Sequence, residues 1–150
     1  MVHRDAEGHR AEHVRLFPTL LCLALLAAPA AADEALDQGK ADFDKLCAPC
    51  HGVDGRGDGP QAPHLAKKPA DLTAVSQKYG HFPEDKVFET IAGLDMPDGH
   101  GTRDMPIWGD VFVTEQVGKS TKVADAIKAS DEASKRIAGL VKYIESLQAP

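Results

Sequence analysis

Aromatic side chains are few. They make up 5% of the 150 residues, as one Trp, two Tyr and five Phe. Such rings usually carry much of a domain's packing, so a large aromatic core made by the protein alone is excluded, and a bound apolar cofactor could supply the missing centre. Cysteine is also scarce. There are three, Cys22, Cys47 and Cys50, which rules out a scaffold stapled by several disulfides. No segment alternates apolar and polar residues as a strand would, and no internal repeat is visible, so the fold class is all-α with long ordered loops. There is no basic excess. The formal net charge is −6 with the acids scattered, which makes nucleic acid an improbable partner. The length suits one domain.

The start of the chain does not read as part of that domain. Leu16 to Ala28 is a short apolar run behind Arg10 and Arg15, and it ends in Ala30-Ala31-Ala32. Basic region, apolar region and small-residue site follow the order of a secretory signal peptide. Residues 1–32 are therefore expected to be removed, leaving 33–150 as the domain. The run is short for a membrane span of roughly 20 residues and contains Pro18 and Pro29, so no span is expected after cleavage. Cleavage takes three basic and three acidic residues, so the net charge stays at −6. Cys22 leaves with the leader. Only Cys47 and Cys50 remain, and a bridge closing so small a loop would contribute little to stability.

Spacing predicts a helix over Asp33–Cys47, with Leu36, Gly39, Phe43 and Leu46 on one face. A short helix capped by Asp71 is expected over Asp71–Tyr79, and another over Pro83–Ala92, stopped by Gly93. Ile107–Val117 reads as a short helix, Gly118–Lys122 as a connector, and Asp131–Leu147 as the clearest helix of all. Gly52–Pro69 is too rich in glycine and proline for regular structure.

The chemistry concentrates at Cys47-Ala48-Pro49-Cys50-His51. A redox dithiol would need a strand-to-helix setting. Zinc would need two more ligands, and no second pair exists. The glycines that follow have neither the lysine-hydroxyl ending nor the preceding strand of a phosphate loop. Arg56-Gly57-Asp58 alone is weak evidence for adhesion, and Asp54 and Asp58 are too few for calcium. C-x-x-C-H is instead the attachment site of c-type haem. Two thiols one helical turn apart can add to two vinyl groups as thioethers, and the adjacent imidazole then binds iron. The opposite face of the iron would take Met96, His100 or Met105, or more distantly His64 or His81. A methionine there would raise the reduction potential and close the iron, whereas an open site would admit small molecules.

With these residues the chain resembles the class I c-type cytochromes, monohaem proteins of bacterial periplasmic type. Gly39 to Gly52 reads G-x-x-x-F-x-x-x-C-A-P-C-H-G. Gly57 to Pro60 (GDGP), Met105 to Phe112 (MPIWGDVF) and the terminal LVKYIESLQ follow in the family's order. The resemblance implies four to five helices wrapped around one covalently bound haem c. It implies thioethers at Cys47 and Cys50, His51 as proximal iron ligand and Met105, in Met105-Pro106-Ile107-Trp108, as distal ligand, with Met96 the alternative. Trp108 is expected to pack on the haem or bond a propionate. Pro60 is similar to the proline whose carbonyl accepts the His51 Nδ1–H, with Pro63 as its alternative. Gly39, Phe43, Leu140 and Tyr143 match the crossing of the first and last helices.

The implied function is one-electron transfer in the periplasm by a monomer that docks transiently with redox proteins, as donor and acceptor, and turns over no substrate. Lys67-Lys68 and Lys119/Lys122 are candidate docking patches. The alternatives are a haem subunit of a larger oxidoreductase complex, docking through Val113–Ser130, or a haem enzyme or gas sensor with a labile sixth ligand.

Overall fold

The computed structural model describes residues 28–96 and 105–149, with side chains from Asp33 onward. Most of the expected leader and His100 lie outside these residues. Helix α1 (Ala28–Asp42) runs without a break through a π-helical turn (Phe43–Cys47) into α2 (Ala48–His51). This single rod is followed by α3 (Val75–Tyr79), α4 (Glu84–Ala92), α5 (Trp108–Val117) and α6 (Val123–Ser146). Counting the rod once, that is five helices and no strand among the described residues, the all-α class expected. No helix among them is long and apolar enough to cross a membrane.

The rod and α6 cross at glycines. A Cβ built on Gly39 would collide with the backbone carbonyl of Gly139, and one on Gly139 would lie 2.8 Å from the Ala35 carbonyl oxygen. Only a pair without side chains lets the two backbones approach this closely. One turn further on, Phe43 meets Tyr143 with ring centroids 5.0 Å apart at 58°, a tilted geometry favoured by the ring quadrupoles. Phe43, Phe112, Leu140 and Val141 are completely buried, so the core sits where the rod, α5 and α6 meet. The four residues assigned to the helix crossing, Gly39, Phe43, Leu140 and Tyr143, all lie there.

The rod and α6 differ most from expectation. The rod does not stop at Cys47 but carries the motif through His51. It also contains a π turn, which apolar spacing cannot reveal because one extra residue resets the phase. Helix α6 begins at Val123, eight residues before Asp131. Its first turns have no inward stripe: Val123 is 75% exposed and Ile127 67%, and Ala129 is the first buried residue. Ala124, Ala126 and Lys128 are nevertheless good helix formers, and Asp125 in the first turn suits the helix dipole. Periodicity therefore registered only the part that packs.

A buried ion pair ties these elements together. Arg136 donates from Nε to Asp42 Oδ2 (3.0 Å) and from a terminal nitrogen to Asp42 Oδ1 (2.7 Å). Its other terminal nitrogen reaches Glu115 at 2.9 Å, and its guanidinium lies 3.8 Å above the Phe112 ring. Asp42 is only 4% exposed. Sequence reading treats such charges as surface residues and misses the pair.

Candidate functional site

Cys47, Cys50 and His51 are presented by the last two turns of the rod. Both thiols are unbridged and half-buried. Burial above all, then the charges of Asp42 and Cys50, push the Cys47 thiol up to about 12. It stays protonated at neutral pH and is a poor nucleophile towards adventitious oxidants. Cys47 and Cys50 would hold a haem by net addition of their S–H groups across its two vinyl groups, sulfur to one carbon and hydrogen to the other, which needs no oxidant.

The glycine-rich stretch is the device that ends the rod. Four amides fold back onto its terminal carbonyls: Gly52 to Ala48 (2.8 Å), Gly57 to His51 (2.7 Å), Gly59 to Cys50 (3.1 Å) and Gln61 to Pro49 (2.8 Å). These bonds satisfy acceptors that every helix end leaves open. Gly57, at φ 74°, presses against the backbone of Pro69 so closely that a Cβ there would strike the Pro69 carbonyl. The loop thereby pulls residues 69–71 in beside His51.

This corrects the expectation for Pro60. The carbonyl beside His51 Nδ1 is that of Ala70, at 3.0 Å, not that of Pro60 or Pro63. Pro60 is carried outward because Gly59 and Gln61 on either side are bonded to the rod, and both Pro60 and Pro63 are exposed. A carbonyl can only accept, so Nδ1 carries a proton in this bond. His51 is 8% exposed, and the bond to Ala70 fixes its ring plane.

The Ala70 segment is held in turn from the C-terminus. Gln148 Nε2 donates to the Leu72 and Ile144 carbonyls at 2.8 and 2.7 Å, its Oε1 accepts from Ser76 N at 2.8 Å, and Ala149 N bonds Thr73 O at 3.0 Å. Asp71 caps the following turn by accepting from Thr73 N (2.9 Å) and Thr73 Oγ1 (2.7 Å), as its sequence position implied. Neither Gln148 nor Ala70 carried a sequence signal, since a backbone acceptor has no residue type and a glutamine near a chain end is usually solvated.

Of the remaining site residues, Met105 is half-buried three positions before α5, whereas Met96 is 47% exposed. Trp108 opens α5, packs against the core and meets Phe112 at 6.1 Å. Leu72, Phe82, Val87, Phe88 and Ala92 pack on the core while remaining half-buried, so a set of apolar side chains faces outward from it. Among the described residues no three His, Cys, Asp or Glu side chains converge to hold a bare metal ion. The donor set is two thiols and one oriented imidazole on consecutive turns, which fits a covalently attached macrocycle carrying its own iron.

The helical fold and this motif define an all-α haem-attaching domain. The chain belongs to the cytochrome c family, whose family model, described as Cytochrome c, matches residues 36–148. The family carries covalently bound haem c with its iron, and its work is haem-borne electron transfer. No curated protein and no solved structure matches the chain.

Proposed function

We propose that the chain is an exported monohaem electron carrier of the periplasm, with His51 and Met105 as axial ligands. The observation that carries this reading is the His51 geometry. Nδ1 donates to the Ala70 carbonyl at the end of a rod bearing two unbridged thiols, so Nε2 is the atom that would coordinate. Bound haem c supplies an iron that gains and loses one electron. Cys47 and Cys50 would hold it covalently. His51, its ring oriented by donating to a carbonyl, would be the proximal ligand. Half-buried Met105, stiffened by Pro106, would close the other side, and Trp108 would pack beside it. With both axial positions taken by protein, no substrate would reach the iron, which makes the chain a carrier rather than an enzyme. Its donor and acceptor would be redox proteins that dock briefly, and the carrier itself would be a monomer.

The purified protein is expected to start at Asp33, to retain haem through denaturation, and to show the long-wavelength ferric absorption of an iron–thioether bond. Haem lost on denaturation would refute the thioethers. A missing long-wavelength band would refute the methionine.

A second reading, a haem subunit within a larger oxidoreductase, is favoured by Val123 and Ile127. They stand exposed one turn apart on α6, within the segment expected to dock. On this reading the protein elutes with one partner at fixed stoichiometry, and Val123→Asp/Ile127→Asp releases it. Elution as a lone monomer in native extracts supports the free carrier.

A further inference from the structure

We infer that Arg136 is a positioning residue for the redox site, setting the haem-attachment turn in register with the helix that follows Met105. This rests on the reading of His51 and Met105 as ligands.

The argument starts at the π turn. An α-helix advances 100° per residue, so one residue inserted by a π turn rotates everything after it by about that angle. Gly39, Phe43 and Cys47 are four apart and would otherwise continue one stripe towards α6. The turn at Phe43–Cys47 breaks that stripe and re-aims Cys47, Cys50 and His51. The aim of the motif thus depends on where the turn falls.

Asp42 is the residue immediately before that turn. Its two carboxylate oxygens are both taken by Arg136. This two-point contact fixes orientation as well as distance, as a single lysine ammonium would not. The same guanidinium bonds Glu115 and covers the ring of Phe112, both on α5. Helix α5 begins at Trp108, and Met105 is three residues ahead of it. One planar group therefore touches the element that aims the thiols and the element that follows the distal methionine. It does so from α6, one turn before the Gly139 contact.

A purely structural salt bridge would serve stability alone. Here the partners sit at the two points that must agree for both faces of the iron to be held. The arm of the clamp on the rod is nearly enclosed, with Asp42 4% exposed and the Arg136 side chain 21%, whereas the Glu115 side chain is 52% exposed. Surrounding water can replace little of the Asp42 contact.

Three variants of the haem-loaded protein test this. Arg136→Lys keeps the charge and loses the fork. Asp42→Asn/Arg136→Met removes both charges together, so neither is left buried alone. Ile137→Val, next in sequence and 2% exposed, loosens the core without touching the clamp. The readouts are the amplitude of the long-wavelength ferric band and the rate at which carbon monoxide binds the ferrous protein, each alongside Tm. Arg136→Lys and the double variant are expected to lose band amplitude and to bind carbon monoxide about five- to tenfold faster, a usual size for coupling between linked sites. Ile137→Val is expected to leave both unchanged at a comparable loss of Tm. If the clamp variants move the readouts no further than Ile137→Val does, the inference is overturned. If the wild type itself shows no such band, the methionine reading fails and the inference falls with it, an outcome distinct from a wild type that shows the band and clamp variants that behave like Ile137→Val.

Discussion

Gly39→Ala is expected to lower stability by about 3 kcal/mol, the upper part of the usual cost of overpacking a tight core. Helix propensity alone predicts the opposite sign, because alanine in mid-helix is favoured over glycine by roughly 1 kcal/mol. Contact geometry decides between them. The added methyl would meet the Gly139 carbonyl and lie 3.0 Å from Leu140 N. Both are backbone atoms inside a helix, which cannot swing aside as the end of a flexible side chain would. Relief requires moving the rod away from α6, which parts Phe43 from Tyr143 and opens the core around Leu140. For a domain of this size, about 3 kcal/mol corresponds to a fall in Tm on the order of 10 °C. Thermal unfolding of the haem-loaded protein, followed by circular dichroism, measures it. A Tm equal to or above the wild type would show that the crossing has slack.

Met105→Ala is expected to abolish the long-wavelength ferric band, open the ferrous iron to carbon monoxide and lower the reduction potential. The thioether favours the ferrous state, so its loss moves the potential down. The size should be on the order of a few tenths of a volt, within the roughly 0.8 V over which axial ligands tune haem. Met96→Ala is the matched comparison. Met96 is nearly half exposed whereas Met105 is half-buried, so its removal should leave spectrum and potential in place. Spectra and redox titrations of the two variants, side by side, check the assignment. A band that survives Met105→Ala and vanishes in Met96→Ala would exchange the two roles.

The two variants test different levels of the molecule. Gly39 is a packing residue eight positions before Cys47, and its substitution should cost fold before it costs chemistry. Met105 is a proposed ligand on a half-exposed approach to α5, and its substitution should cost chemistry before it costs fold.

Much of this was legible in the chain. The attachment motif declares itself because its chemistry is local: two thiols and an imidazole must lie within five consecutive residues, whatever the surroundings. Most of the helices were equally open, since each buries one stripe and the stripe repeats in sequence. Glycine at 39 and aromatics at 43 and 143 marked the crossing, although Gly139, the other half of the contact, passed unnoticed in a helix with many small residues.

What escaped was non-local or lacked a side-chain signature. The acceptor for His51 is a backbone carbonyl, and every residue offers the same group. Only the hydrogen-bonded path of the loop, Gly57 and Gly59 tied to the rod and Gly57 against Pro69, determines that Ala70 arrives there and Pro60 does not. The Asp42–Arg136 pair spans 94 positions, and charge is read as solvated until a fold encloses it. The π turn hides because a single extra residue shifts the phase without changing the composition. The sequence by itself determined which groups could attach and ligate haem. Tertiary structure decided how they are aimed, because orientation is set by contacts between elements that the chain brings together only when folded.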